Sequence, residues 1–132
     1  MKTVNKRPKI LVVDDEEVIR EFSKRVLEKL DLEINTANDG KVAWEMVKHN
    51  EYHLILLDLI MPVMSGKQFL LRIKRMSRCP PVIVMTGYGT EEVISDIRRL
   101  GVFDLMTKPI DVYELRRTVA QVLIDTGTWD AA

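Results

Sequence analysis

The sequence predicts a single α/β domain, doubly wound, in which a five-stranded parallel sheet is covered by five helices. Short apolar runs alternate five times with segments of helical periodicity. The runs are apolar on both faces, which is typical of parallel strands buried on two sides. In addition, charged or hydroxyl side chains follow four of the five runs directly, so one edge of the predicted sheet is polar.

Length and composition agree with one compact domain. A chain of 132 residues with 46% hydrophobic and 30% charged residues has the balance of an ordinary globular protein. Twenty basic residues offset twenty acidic ones, so no net positive field attracts a polyanion, and we expect no direct binding of nucleic acid. The apolar runs are too short to cross a bilayer and no signal peptide precedes them. We therefore expect no membrane association and a cytoplasmic location.

The single cysteine and the two histidines do not suggest a disulfide framework or a zinc site. Cys79 has no second cysteine to pair with and no ligand spacing around it. His49 and His53 lie at a predicted helix-to-strand connection without further ligands nearby. We expect a packing or surface role for Cys79 and solvated or capping roles for the histidines.

The strands and helices are predicted in alternation along residues 9–124. The first strand, residues 9–13, is a β-branched run that stops at Asp14, and the helix after it, residues 16–30, has one apolar and one charged face. The later strands are predicted at residues 32–37, 54–57, 81–85 and 103–107. The later helices are predicted at residues 40–49, 66–76, 90–100 and 112–124. We place the domain at residues 9–125, between an N-terminal extension of residues 1–8 and a C-terminal tail of residues 126–132. Residues 1–7 and 126–132 are expected to be loose.

Five polar residues are expected to meet at the carboxyl ends of the strands, where sheets of this class place their sites. Strand one is followed by Asp14 and Asp15, strand three by Asp58, strand four by Thr86 and strand five by Lys108. Three carboxylates in one small site repel one another unless a cation lies among them, and oxygen ligands favour Mg²⁺. The sequence therefore predicts a divalent metal.

With a metal present, one carboxylate can act as a nucleophile toward phosphorus. Asp58 is the best candidate because it stands alone after the most apolar strand, whereas the adjacent Asp14 and Asp15 suit an ion. Thr86 could donate its hydroxyl to a phosphoryl oxygen, and Lys108 could neutralise developing charge. Each residue alone has an ordinary explanation, such as a helix cap or a turn. Their conjunction at four strand ends favours the functional interpretation.

These motifs resemble those of response-regulator receivers of two-component signalling. The resemblance covers residues 9–124 and is carried by the sequences Val12-Val13-Asp14-Asp15, Asp58 through Met61-Pro62 to Gly66, Thr86-Gly87 and Lys108-Pro109. It implies a flavodoxin-like fold, phosphorylation of Asp58 by a histidine kinase or a histidine phosphotransfer protein, and self-catalysed dephosphorylation.

The resemblance also implies a ligand set for Mg²⁺. Asp15, Asp58 and the backbone carbonyl of Ile60 would hold the ion, and Asp14 would bind mainly through water. The Lys108-Pro109 peptide is expected to be cis, in a tight turn.

Two positions depart from the family pattern. Leu105 stands three residues before the lysine, where relatives usually carry a tyrosine or phenylalanine that moves inward on activation. Ile60, two residues after the acceptor, replaces a side chain that is polar in many relatives. The first departure places in doubt the coupling to the face formed by helix four, strand five and helix five.

Two other functions remain to be distinguished. A metal-dependent phosphohydrolase of the haloacid dehalogenase superfamily also uses an aspartyl nucleophile, but its motif is Asp-x-Asp, whereas Asp14 and Asp15 are adjacent. A receiver-like module that binds partners without phosphorylation would usually have lost Asp58, one of the acidic pair or Lys108.

The output of the signal is left open by the sequence. No DNA-binding, cyclase or ATPase segment follows Ile124, so the chain could be a stand-alone relay or the receiver of a longer protein. The segment Thr86-Gly87-Tyr88-Gly89 resembles receivers of nitrogen-regulation-type activators, which favours the longer protein. The expected downstream partner is an output domain or a target protein, and a phosphorylation-dependent dimer is a further expectation.

Overall fold

The computed structural model of the chain describes residues 7–61, 63–87 and 90–130. Within these residues five strands alternate with five helices, as predicted. The strands are β1 (Lys9–Val13), β2 (Glu33–Ala37), β3 (Leu54–Asp58), β4 (Val82–Thr86) and β5 (Asp104–Thr107). The helices are α1 (Glu17–Glu28), α2 (Gly40–His49), α3 (Gly66–Ile73), α4 (Glu91–Arg99) and α5 (Val112–Asp125).

The strands form one parallel sheet in the order β2-β1-β3-β4-β5. The predicted fold class is therefore confirmed. Every residue of the central strand β3 is buried, including Asp58 at its end. Val13 pairs with Leu57, and Asp58 pairs with Met85, so β1, β3 and β4 end at nearly the same level. The sheet consequently presents its carboxyl-end residues side by side.

Two apolar cores lie on opposite faces of the sheet. Alternate residues of β1 face opposite sides, so Leu11 and Val13 belong to one core whereas Ile10 and Val12 belong to the other. The first core also takes residues of α2, α3 and α4, and the second takes residues of α1 and α5. This division of helices explains why the inner strands β1, β3 and β4 are buried on both faces.

Side-chain caps mark the starts of four helices. Ser65 and Gln68 form a capping box at α3, and the side chains of Asp39, Thr90 and Asp111 accept backbone N–H bonds at α2, α4 and α5. Helix α3 ends three residues earlier than predicted, because the N–H groups of Arg75 and Met76 bond three residues back and tighten the chain into turns. The other elements lie within two residues of their predicted bounds.

The prediction of a loose C-terminal end is wrong for residues 126–129. The Thr126 hydroxyl donates to the carbonyl of Val122, and the Trp129 N–H donates to the carbonyl of Leu123 at 2.9 Å. The Trp129 side chain is partly buried against the second core. An apolar ring next to an amphipathic helix removes its surface from water, which the sequence position alone did not indicate.

The two histidines and the single cysteine have structural or surface roles. His53 accepts the Lys9 N–H through Nδ1 at 3.0 Å, which is a capping role at the start of β1. His49 is exposed, and Cys79 is partly buried against the first core, as expected. In the described part of the chain, no helix has both the length and the apolar character that a membrane span needs.

Candidate functional site

The predicted site residues meet at the carboxyl edge of the sheet. Asp14 directly follows β1, Asp58 ends β3, Thr86 ends β4, and Lys108 follows β5. Asp14, Asp58 and Thr86 are buried, whereas Asp15 is exposed. The parallel topology alone brings these side chains together, since it places all four strand ends at one edge.

Lys108 is the centre of the charged cluster. Its Nζ lies 2.8 Å from Asp14 Oδ2, 3.1 Å from Glu16 Oε1 and 3.6 Å from Asp58 Oδ2. Burial acts to lower the pKa of this lysine, but its bonds to Asp14 and Glu16 and the charge of Asp58 outweigh burial and raise the pKa. The lysine is therefore a permanent cation between the two strand ends that carry carboxylates.

Asp14 is held rigidly by its backbone and by one carboxylate oxygen. Its N–H donates to the carbonyl of Ala37, its carbonyl accepts from the Arg20 guanidinium at 2.8 Å, and Oδ1 accepts the Glu16 N–H at 2.9 Å. Among the described residues, the buried Oδ2 has one polar partner, the Lys108 ammonium group at 2.8 Å. A buried carboxylate oxygen with spare acceptor capacity is a fitting ligand, direct or through water, for a cation.

Three acidic residues offer ligand atoms close together. Among the residues that the structure describes, Asp14, Asp15 and Glu16 place carboxylate oxygens within 4.8 Å of one another. The first two were predicted as metal-holding residues, whereas Glu16 was assigned only to the start of a helix. Its position as the third acidic residue after an apolar strand was the signal that sequence reasoning did not use.

Asp58 has a raised pKa. Burial raises its pKa from 3.8 to about 6, and the Asp14 carboxylate adds to this effect. Lys108 and the Ile60 N–H, which lies 3.5 Å from Oδ1, act in the opposite direction without cancelling it. The ionised form of Asp58 is therefore disfavoured here, and a metal cation beside it would favour that form.

The loop after β3 brings α3 against Asp58. Gly66 donates its N–H to the carbonyl of Leu59, and a Cβ on Gly66 would collide with the backbone carbonyl of Asp58. Only a glycine permits this close approach. The side chain of Ile60 is 60% exposed on the same loop, and Pro62 lies outside the described residues.

The opposite side of the site is formed by β4 and β5. The Thr86 carbonyl accepts the Lys108 N–H at 2.9 Å, and the Lys108-Pro109 peptide is cis, as predicted. Leu105 pairs with Val84 and packs, partly buried, against the first core. Tyr88 and Gly89, which contributed to the resemblance, lie outside the described residues.

Comparison with known proteins decides the family. A family model described as the response regulator receiver domain matches residues 10–120. This chain belongs to that family. The receiver match extends over all five strands and the four strand ends of the site, so the phosphohydrolase alternative has no support.

Curated relatives of this receiver include two regulators. The response regulator protein PilR of Pseudomonas aeruginosa is 34% identical over 117 residues, which are 89% of this chain and 26% of PilR. The transcriptional regulatory protein SrrA of Staphylococcus aureus is 35% identical over 114 residues, which are 86% of this chain and 47% of SrrA. The chain thus spans about a quarter and about half of these relatives.

Solved structures agree with the receiver fold. A response regulator receiver protein from Pseudomonas putida is 30% identical, covers 89% of this chain and 99% of its own, and superposes with a TM-score of 0.84. The chemotaxis protein CheY4 of Vibrio cholerae is 28% identical, covers 89% of this chain and 100% of its own, and gives a TM-score of 0.81. The chain is therefore a receiver domain of two-component signalling.

Proposed function

We propose that Asp58 accepts a phosphoryl group from the phosphohistidine of a histidine kinase or a histidine phosphotransfer protein, in a Mg²⁺-dependent reaction. The observation that carries the proposal is the setting of Asp58. It is a buried carboxylate at the end of the central strand, 3.6 Å from a lysine, beside a second buried carboxylate. Carboxylates of this kind are nucleophiles in covalent phosphoryl transfer.

The residues at the strand ends fit a hard divalent cation. Asp14, Asp15 and Asp58, with the backbone carbonyl of Ile60, are the proposed ligands of Mg²⁺. The Oδ2 of Asp14, which can accept a further partner besides Lys108, and the raised pKa of Asp58 favour such a cation at this place. When bound, the ion supplies neutralisation of charge on the phosphoryl oxygens.

The chemistry of the protein residues follows from their positions. A carboxylate oxygen of Asp58 forms a bond to phosphorus, the phosphorus–nitrogen bond to the donor imidazole breaks, and the imidazole takes up a proton from the solvent. Lys108 donates N–H bonds to the transferred group, and the Thr86 hydroxyl donates to one of its oxygens. Thr86 ends β4, the strand next to Asp58, and Lys108 reaches Asp58 from the end of β5 with its Nζ at 3.6 Å, which supports these roles.

The phosphorylated receiver is proposed to change conformation and to signal to an output domain or a target protein. Its catalysis would be limited to its own phosphorylation and dephosphorylation. A phosphorylation-independent binding module is the second candidate, but Asp14, Asp58 and Lys108 form a complete charged cluster, which a mere binding module has no reason to keep.

Phosphorylation with acetyl phosphate tests the proposal. We expect Mg²⁺ and acetyl phosphate to add one phosphoryl mass to the protein, and Asp58→Asn to abolish the addition. Asp104→Asn is the matched control, because this exposed aspartate lies at the amino end of β5, whereas the site lies at the carboxyl ends of the strands. Phosphorylation of the Asp58→Asn protein, or uptake that is unaffected by EDTA, would contradict the proposal.

A further inference from the structure

Glu16 makes a contact that the proposed chemistry does not require. Its carboxylate accepts a hydrogen bond from Lys108 at 3.1 Å and so joins the start of α1 to the residue after β5. Glu16 occupies the N-cap position of α1, yet its side chain makes no capping bond. Its carboxylate is directed at the lysine instead.

The lysine is shared unequally among three carboxylates. Its ammonium group has three N–H donors, and it lies nearer to Asp14 and Glu16 than to Asp58. Asp14 and Asp58 are buried, whereas the Glu16 side chain is 60% exposed. The Glu16–Lys108 contact is therefore the one that can break with little loss of stability, because an exposed ion pair contributes little free energy.

We propose that Glu16 is a positioning residue that holds Lys108 away from Asp58 in the unphosphorylated receiver and releases it to the phosphoryl group. The inference rests on the proposed function, because Lys108 must turn toward Asp58 when that residue is modified. The Glu16–Lys108 bond stabilises only the unphosphorylated arrangement. It thus opposes both phosphorylation and the binding of a phosphoryl analogue.

The competing role for Glu16 predicts the opposite sign. Its carboxylate also belongs to the acidic cluster with Asp14 and Asp15, and as a ligand of the metal it would promote phosphorylation. Loss of its charge would then slow the reaction. Release of Lys108 predicts acceleration instead, by about two- to fivefold, which is the scale of an exposed ion pair.

The experiment compares Glu16→Gln with Glu17→Gln in the full chain. Glu17 is an exposed acidic residue in the first turn of α1, so it controls for the loss of one charge near the site. At saturating Mg²⁺, we expect Glu16→Gln to be phosphorylated by acetyl phosphate two- to fivefold faster than wild type, as measured by intact mass. The affinity for beryllofluoride should rise by the same factor, and Glu17→Gln should resemble wild type.

Two further readouts separate release of the lysine from simple charge repulsion. Phosphoramidate carries less negative charge than acetyl phosphate, so repulsion of the donor would give a smaller acceleration with phosphoramidate, whereas release of Lys108 gives equal accelerations. In nuclear magnetic resonance spectra, the ammonium protons of Lys108 should exchange with water faster in Glu16→Gln and at the wild-type rate in Glu17→Gln.

Equal rates for the two variants, or slower phosphorylation of Glu16→Gln, would overturn the role assigned to Glu16. So would acceleration that appears with acetyl phosphate alone. If wild type takes up no phosphoryl group, the proposed function itself fails and the inference falls with it. A phosphorylated wild type combined with an unaccelerated Glu16→Gln protein overturns the inference alone.

Discussion

At the scale of single residues, the stability of the fold favours the protonated form of Asp58, whereas the proposed function uses its carboxylate. The native state holds its carboxyl group out of water beside Asp14, so the proton is retained up to a pH of about 6. In the unfolded chain the proton is released near the ordinary value of 3.8. Because the native state binds more protons between these values, the contribution of Asp58 to stability is present below pH 3.8 and is lost as the pH rises through 6.

Asp58→Asn should therefore stabilise the metal-free protein at neutral pH. We expect an increase of about 3 kcal/mol in the free energy of unfolding at pH 7.5, on the scale of about 1.4 kcal/mol for each unit of pKa shift. The difference should nearly vanish at pH 4, where the wild-type carboxyl group is neutral in the native state. Urea denaturation of both proteins at the two pH values measures it.

Added Mg²⁺ is the control for this prediction. The ion should stabilise wild type more than Asp58→Asn, because the variant lacks the anion that the ion would neutralise. An Asp58→Asn protein that is less stable than wild type at pH 7.5 without metal would show that burial does not oppose the charge of Asp58.

At the scale of secondary structure, β5 carries the departure with the clearest consequence. Leu105 stands where the resemblance described above predicts a tyrosine or phenylalanine, and its side chain packs against the first core. A leucine has no ring that exchanges an exposed for a buried position. We therefore predict that β5 passes a weaker signal to α4 and α5 than it would with an aromatic ring at this position.

We expect beryllofluoride to cause smaller chemical-shift changes on the α4–β5–α5 face of wild type than in Leu105→Tyr, where a mobile ring is restored. Shifts around Asp58 should be alike in the two proteins, which controls for equal occupancy of the site. If the chemical-shift changes on that face are as large in wild type as in Leu105→Tyr, another element transmits the signal.

At the scale of the whole molecule, the C-terminal residues extend the second core. Trp129 packs beyond the end of α5 against side chains of this core, and its N–H bond to Leu123 fixes the turn that brings it there. The side chain therefore ties the last turn of the chain to the face of the sheet that α1 and α5 cover.

Trp129→Ala should lower the free energy of unfolding by about 1–2 kcal/mol. The loss is smaller than the ~3–5 kcal/mol of a fully buried tryptophan, because Trp129 is only partly buried. Tyr113→Ala is the control, since this side chain of α5 is 73% exposed and should change stability by less than about 0.5 kcal/mol. Equal effects of the two substitutions in urea denaturation would contradict the packing role of Trp129.

The sequence by itself determined the fold class and the place of the site. Apolar periodicity is a local property, so the five strands and five helices were recognisable along the chain, with bounds that differ mainly at the end of α3. Parallel strands end at one edge of a sheet, so the grouping of Asp58, Thr86 and Lys108 followed from their positions directly after or at the ends of strands.

The tertiary structure alone decided the strand order and the partners of each charge. Lys108 bonds Glu16 across 92 residues, and the run of four acidic residues at 14–17 does not by itself show which of them reaches this lysine. The raised pKa of Asp58 depends on its burial and on the nearby charge of Asp14, and Trp129 packs on a core whose members come from all five strands and from α1 and α5. Such properties depend on distances between residues that are remote in sequence, which periodicity and motif spacing do not contain.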